Sequence, residues 1–533
     1  MKRTFRCGIF FILVLVALIF SACSSSSSDS GSYDPSGTVV GATLISKYSL
    51  KNMMETNPSL KEKLLQNFKQ EMISELKKGR LNLKDIKTES DINNIFENNT
   101  QFKTSIACEV AAYKVDYQTT DPFGEVVTAS MRVLVNYTDY WWWGWKKWYA
   151  CSDRVVLHCH ATQLEDSKVP SKKSGLHLDE NGLFYETCFH DNMVVSPDYL
   201  GYGSSKDRIH PYLIQDNTGK QCWDAACAAI SWKRNNTDPD GNSLRGVEDD
   251  FYTVSFGYSQ GGAAALATQK YIEENETGNR THFRGAVCGD GPYDLMSTFE
   301  FYKGTQGIVL PSVLTLILRS YLYYYKDSYL KGFTAADYLK SAVIEALKDG
   351  TDKEWSMIDS KDKSSTDIDN AIKKAVAGSE SVEMVTVNQM FNPDALNPDS
   401  AAYKALKKAF DANNLTATAN WKNGKNNNKT IAVHFYADEV VPYVNFQNLY
   451  NNLTIEEDYY PSTITFDVIK GILEMLGLDI GVIDDFARLM TYQTPNPQHD
   501  NPPTVYYADS HVDGGKMFFV GDLVWNKKYK IGE

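Results

Sequence analysis

The chain has 533 residues, of which 43% are apolar, enough to bury a large core and more than one small domain requires. A net charge of −13 and an isoelectric point near 5.3 argue against nucleic acid as a partner, because phosphate binding needs a basic surface.

The N-terminus begins Met1-Lys2-Arg3-Thr4-Phe5-Arg6 and continues as an apolar run from about Gly8 to Phe20. That pattern is a secretory signal peptide, too short and wrongly flanked for a membrane span. Phe20-Ser21-Ala22-Cys23 resembles a bacterial lipobox, with Phe20 where Leu is usual. The resemblance implies a signal peptide over 1–22 and a lipid-anchored protein of the cell envelope, on the outer membrane or cell surface. Cys23 is then the acylated first residue; the alternative is a chance Cys near a cleavage site. Residues 23–38, mostly Ser, Asp and Gly, read as a flexible tether.

Without Cys7 and Cys23, the chain keeps Cys108, Cys151, Cys159, Cys188, Cys222, Cys227 and Cys288. An odd count leaves at least one thiol free, and with no C-x-x-C pair a zinc site has little support. Cys222 and Cys227 fall on different sides of an expected helix, so a bond between them is not expected.

Residues 39–103 read as an N-terminal helical extension. From Leu44 to Phe96 apolar residues recur at three- and four-residue spacing among charges, as in Lys61-Glu62-Lys63-Leu64-Leu65-Gln66-Asn67-Phe68. Alternation from Ile106 to Tyr137, broken by Asp121-Pro122-Phe123-Gly124, predicts a β-hairpin. Beyond it lies a tryptophan cluster from Trp141 to Tyr149. It suits a sugar platform, a lipid interface or a hairpin that packs its aromatics on the body.

Arg154 to His158 reads as a buried strand, followed by Cys159-His160-Ala161-Thr162. Two histidines two apart share a strand face, but no third metal ligand is evident nearby. Asn192 to Pro197 is the next strand, and a Gly-rich loop from Asp198 crosses the sheet's carboxyl edge, where ligands bind in open α/β sheets.

The run from Val254 to Ala265 starts β-branched and aromatic and becomes small and Ala-rich around Gly257-Tyr258-Ser259-Gln260-Gly261. It reads as strand, sharp turn and helix. A nucleophile held on such a turn brings its flanking positions together, so glycines are needed there. Gln260 would offer its N–H, at the positive end of the helix, to a developing oxyanion. An ordinary Gly-Ser turn is the alternative reading. Gly285 to Gly289 is a short buried strand. From Met296 to Leu415 the strand rhythm is lost, and the apolar segment from Ile308, interrupted by Pro311, and charged helices replace it.

Asp198-Tyr199-Leu200-Gly201-Tyr202-Gly203, His210-Pro211-Tyr212-Leu213, Gly257 to Gly262 and Gly291-Pro292-Tyr293-Asp294-Leu295 together resemble the secretory lipase family of α/β-hydrolases and its bacterial lipoprotein relatives. The resemblance implies a mostly parallel sheet flanked by helices, with a core over 104–295 and 416–533 and a helical cap over 296–415. It also implies a Ser, Asp, His chain order for the triad. Asp438, in Asp438-Glu439-Val440-Val441-Pro442 after the strand Thr430 to Tyr436, matches the family's acid motif; Glu439 is the substitute. His511, between the strand Thr504 to Tyr507 and Gly514-Gly515, suits the base better than His499 in its Pro-rich loop. The loop after Arg154 to His158 would supply the second oxyanion amide, from Ala161 or Thr162, and Asp198 and His210 would fix loops beneath the pocket.

The expected activity is hydrolysis of carboxylic esters through an acyl-enzyme, with neither metal nor organic cofactor. An esterase removing feruloyl or acetyl groups from plant polysaccharide, a secreted serine peptidase and a catalytically silent binding protein are the alternatives.

Overall fold

The computed structural model describes residues 37–49, 109–136, 140–142, 145–147, 152–173, 192–235, 247–276, 282–304, 307–419, 421–435, 438–455, 505–506 and the single positions 88, 90, 511 and 518. The signal peptide, Cys23, most of the charged extension after residue 49 and His499 lie outside them. Among the described residues, no helix is long and apolar enough to cross a membrane.

Among the described residues nine strands form one sheet, in the order β1-β2-β3-β7-β6-β8-β9-β12-β13. The antiparallel side is β1 (Val39–Ser49), β2 (Glu109–Thr120) and β3 (Val126–Asn136), with β3 pairing antiparallel to β7 (Asn192–Pro197). The expected hairpin is β2–β3. Beyond it β4 (Tyr140–Trp142) and β5 (Trp145–Lys147) make a small separate hairpin within the tryptophan cluster.

From β7 the sheet is parallel, through β6 (Ser152–Cys159), β8 (Val247–Tyr258), β9 (Phe283–Gly289), β12 (Lys429–Phe435) and β13 (Val505–Tyr506). The middles of these strands, such as Val155 to Leu157, Val194 to Val195 and Ala286 to Cys288, are apolar and buried, as helices covering both faces of a parallel sheet require. Helix α1 (Gln215–Asn235) precedes β8, and α2 (Gln260–Asn275) follows it. The small residues Ala225, Ala226, Ala228 and Ala229 on α1 and Ala263, Ala264, Ala265 and Ala267 on α2 are buried, which lets the two helices approach closely. The chain visits β6, then β7, then returns past β6 to β8, so the strand order reverses between β6 and β8. Their carboxyl ends form the crevice.

Residues 39–49 correct the sequence-based expectation. They are not the start of a helical extension but an edge strand, registered on β2 from Val39 opposite Tyr117 to Ser49 opposite Glu109. The β-branched Val39, Val40, Thr43 and Ile45 suit a pleated surface, and the free edge of β2 supplies hydrogen bonds that a short isolated helix would lack.

Between β9 and β12 lies a helical insertion. It includes α3 (Leu295–Gly304), β10 (Gly307–Ile308), α4 (Pro311–Tyr324), α5 (Ser365–Ala377), β11 (Val385–Thr386) and α6 (Ala401–Ala412), with shorter helical turns between. The apolar run expected as one segment from Ile308 is divided: Ile308 pairs with Val385 in β10–β11, and the helix starts at Pro311, whose missing N–H is harmless in the first turn. The Ser/Asp-rich stretch before α5 works as a capping box, Ser364 and Asp367 satisfying each other's N–H groups.

The insertion is tied to the loop leading into α1. Tyr321 Oη donates to Leu213 O at 3.0 Å and Tyr324 Oη to Ile209 O at 2.6 Å. The buried Lys361 ammonium donates to the carbonyls of Lys206 and Arg208. After β12, α7 (Val444–Asn452) completes the described core.

Candidate active site

Ser259 sits between β8 and α2 at φ 57°, ψ −124°, a backbone conformation that costs on the order of 1–3 kcal/mol for a non-glycine residue. The turn is held by Ser259 N–H donating to Gly289 O at 2.9 Å and Ala263 N–H to Ser259 O at 3.2 Å. A Cβ on Gly257 would stand 2.2 Å from Gly261 O, and one on Gly261 would stand 2.0 Å from Cys159 O. Both glycines are therefore required by close approach, as the G-x-S-x-G spacing predicts.

His511 Nε2 lies 2.9 Å from Ser259 Oγ, and His511 Nδ1 lies 2.5 Å from Asp438 Oδ2. The fold thus brings together Ser259, His511 and Asp438, the three residues expected as nucleophile, base and acid. Since Nδ1 faces a carboxylate it carries the ring proton, which leaves Nε2 to accept from the serine hydroxyl. Asp438 Oδ1 accepts from Val440 N–H and Val441 N–H, both at 2.7 Å. Glu439, the substitute acid, does not touch the imidazole through a hydrogen bond of its carboxylate; its Oε2 accepts His511 N–H at 2.8 Å and so anchors the histidine's backbone.

Burial alone would depress the imidazole, but the Asp438 carboxylate, with Asp290 and Glu439 behind it, outweighs this and holds His511 above the ordinary 6.5. Burial raises Asp438, with Asp290 adding to the effect and His511 opposing it. The loop carrying Asp438 is braced from the insertion: Tyr302 Oη on α3 lies 2.7 Å from Glu439 O and 2.9 Å from Val440 O, its one proton shared between the two carbonyls.

Gln260 opens α2, where its N–H belongs to the first turn and has no intrahelical acceptor. Its side-chain amide donates to His210 Nε2 at 3.1 Å, and His210 Nδ1 donates to Leu200 O at 2.7 Å. Burial pushes His210 down to about 3, so it stays neutral and keeps the tautomer this chain of bonds needs.

Ala161 and Thr162 lie on the loop after β6. Its carbonyls are pinned: His160 O accepts from Tyr199 Oη at 3.0 Å, Ala161 O from His160 Nδ1 at 2.6 Å and Gln163 O from Tyr202 Oη at 2.6 Å. Thr162 Oγ1 is 2.7 Å from Tyr212 Oη. His158 and His160 do not point to one ligand: His158 Nδ1 meets Ser196 Oγ at 3.0 Å, while His160 Nε2 meets Asp198 O at 3.3 Å. Asp198 takes Ser130 Oγ, Ser171 N–H and Ser171 Oγ, as a loop-fixing residue should.

No protein-family model and no curated protein matches the sequence. Solved structures do. The rice cell wall degrading esterase LipA from Xanthomonas oryzae is similar with a TM-score of 0.53 at 18% identity, over 79% of this chain and 90% of that one. A Legionella pneumophila protein named as a hydrolase is similar with a TM-score of 0.52 at 14% identity, over 93% of this chain and 99% of that one. The chain has the α/β-hydrolase fold.

In this α/β-hydrolase fold the Ser259 turn, the loop that carries Asp438, and His511 all stand at the carboxyl edge of the parallel strands. One residue there was missed by sequence reasoning. Asp290, directly after β9, is fully buried, and its carboxylate accepts Phe435 N–H at 2.9 Å and Tyr258 Oη–H at 2.6 Å. The available signal was an acid flanked by Gly289 and Gly291 at a strand end. Asp290, Asp438 and His511 each bring a ligand-type atom within 4.8 Å of the others, a spacing a small cation would accept. Their lone pairs and protons are already engaged by Tyr258, Phe435, Val440, Val441 and Ser259. Among the described residues Cys159, Cys222, Cys227 and Cys288 are buried, and Cys222 and Cys227 form no disulfide with each other.

Proposed function

We propose that this protein is a serine hydrolase that cleaves carboxylic esters through an acyl-enzyme and is held at the bacterial cell envelope by a lipid on Cys23. The observation that carries the catalytic part is Ser259 Oγ on a strained turn, 2.9 Å from an imidazole whose other nitrogen is held by a buried carboxylate.

A serine hydroxyl is a poor nucleophile until a base takes its proton. As Ser259 Oγ attacks the ester carbonyl, its proton passes to His511 Nε2. Asp438 keeps the imidazole in the right tautomer and stabilises the imidazolium. The carbonyl oxygen becomes an oxyanion, which Gln260 N–H and an N–H from Ala161 or Thr162 receive. His511 then gives the proton to the departing alkoxide, which leaves as an alcohol. Water, activated by the same imidazole, releases the acid and restores Ser259.

The apolar helical insertion over the loop before α1 supports an acyl substrate. A narrower reading, removal of acyl groups from plant polysaccharide, is favoured by the shared fold with an esterase that degrades rice cell walls and by the tryptophan hairpin, since indole faces suit sugar rings.

A fluorophosphonate probe tests the class: wild type is labelled and Ser259→Ala is not. Labelling of neither would overturn the enzyme assignment. A panel of short and long p-nitrophenyl esters, methyl ferulate, acetylated xylan and a peptide anilide tests the substrate, and a preference for the anilide would replace the ester reading. Cys23→Ser should move the protein from the membrane fraction to the soluble one.

A further inference from the structure

We propose that Asp290 is a second acid of the catalytic centre, a positioning residue whose carboxylate works beside Asp438 to hold the charge that His511 acquires. The inference rests on the triad reading above.

The topology places the two acids side by side. β9 and β12 are adjacent parallel strands, Gly289 opposite Val433, and Asp290 follows the first while Asp438 follows the second. Asp290 N–H donates to Val433 O at 3.1 Å, which locks the strand ends together. Both carboxylates therefore reach one histidine, and a carboxylate oxygen of each lies within 4.8 Å of a His511 ring nitrogen.

Asp290 is an expensive choice for a merely structural position. It is fully buried and sits at φ +37°, in the left-handed region. A buried carboxylate without a charged partner is strongly disfavoured, whereas a neutral asparagine or serine would accept Phe435 N–H at no such cost. The charge is instead supported from two sides. His434 Nδ1 stands 3.0 Å from Oδ1, and Tyr258 Oη–H donates to Oδ2. Tyr258 Oη also lies 2.8 Å from His511 O. With one proton for two acceptors, it gives that proton to the nearer one, the Asp290 carboxylate. The phenol thereby joins Asp290 to the histidine's own backbone, and its ring lies beside the imidazole with centroids 5.0 Å apart.

The electrostatics agree with the geometry. Burial opposes ionisation of Asp290, but His434, a hydrogen bond with Asp438 and the nearby His511 outweigh this and hold it below the ordinary carboxylate value, while the same contact pushes Asp438 up. Asp290 is therefore charged where His511 titrates. The groups that face the imidazole are Asp438, Asp290, Glu439 and the Tyr258 phenol, which burial and then Asp290 push well above 10. Asp290 adds negative potential that favours imidazolium in the transition state and does not touch the substrate.

The test compares wild type with Asp290→Asn, which preserves shape, and Asp290→Gly, which relieves the backbone. Both are checked by thermal melting. Expected for either folded variant is an acid limb of kcat/KM that moves to lower pH, with kcat down about tenfold and KM unchanged. A folded variant with the wild-type pH profile and kcat overturns the proposal. If neither variant folds, Tyr258→Phe keeps Asp290 and frees its Oδ2 from the phenol proton; fluorophosphonate labelling against pH should then show the acid limb moved to higher pH, and an unchanged or lower limb overturns the proposal. Failure of the triad reading looks different: wild type itself would resist labelling, or His511→Ala would label as fast.

Discussion

The side-chain amide of Gln260 donates to His210 Nε2 at 3.1 Å, across a gap of fifty residues between the nucleophile turn and the loop before α1. This bond holds the residue whose backbone N–H is proposed to receive the oxyanion. His210→Ala would leave Gln260 and the Leu200 carbonyl unpartnered, at a cost of about 2–4 kcal/mol in stability, with kcat reduced more than KM. Because burial drives its pKa to about 3, His210 should show no titration in an NMR pH series above pH of about 4.

His511→Ala should lower kcat by several orders of magnitude, on the scale of about 10⁴–10⁶ for a triad base. His499→Ala should leave it unchanged. Steady-state kinetics on a p-nitrophenyl ester separates the two, and the reverse result would move the base to the Pro-rich loop.

Asp438 and Glu439 are adjacent but do different work, one on the imidazole and one on the backbone N–H of His511. Asp438→Asn should cost on the order of 10⁴ in kcat through the wrong tautomer. Glu439→Gln keeps an acceptor for that N–H, so a loss of about tenfold or less is expected. Equal losses would show that Glu439 also contributes directly to the base.

Asp198 supplies a pH test of stability. Burial raises it from 3.8 to about 6, against the lowering effect of Ser130 and Ser171. Between those values the folded state holds a proton that the unfolded chain has released. Its contribution is therefore full below a pH of about 4 and is lost as pH rises through about 6, by up to about 3 kcal/mol. Urea unfolding of wild type against Asp198→Asn should show the difference between them changing across that window and flat above it.

Gly261→Ala asks whether the turn itself is sterically required. Its Cβ would stand 2.0 Å from Cys159 O, a backbone atom that cannot swing aside. A loss of about 3 kcal/mol or more in thermal stability is expected, along with loss of fluorophosphonate labelling in whatever remains folded.

Features that depend on near neighbours are legible in the chain alone. The glycines around Ser259, the strand before it and the small-residue helix after it are demanded by contacts within a few residues. The Asp438-Glu439-Val440-Val441 run likewise carries its own N–H donors for the carboxylate. Those signals were enough to name the three residues that the fold brings together. The other features depend on contacts between distant segments. Residues 39–49 became a strand because the edge of β2, about seventy residues away, offered hydrogen bonds that outweighed any local helical tendency. Glu439 went to a backbone N–H because His511 stands within its reach across 72 residues of chain. Asp290 gained its place because β9 and β12 are neighbours in the sheet though far apart in the chain. A charge's partners are set by where strands end in space, and no spacing within the sequence records that.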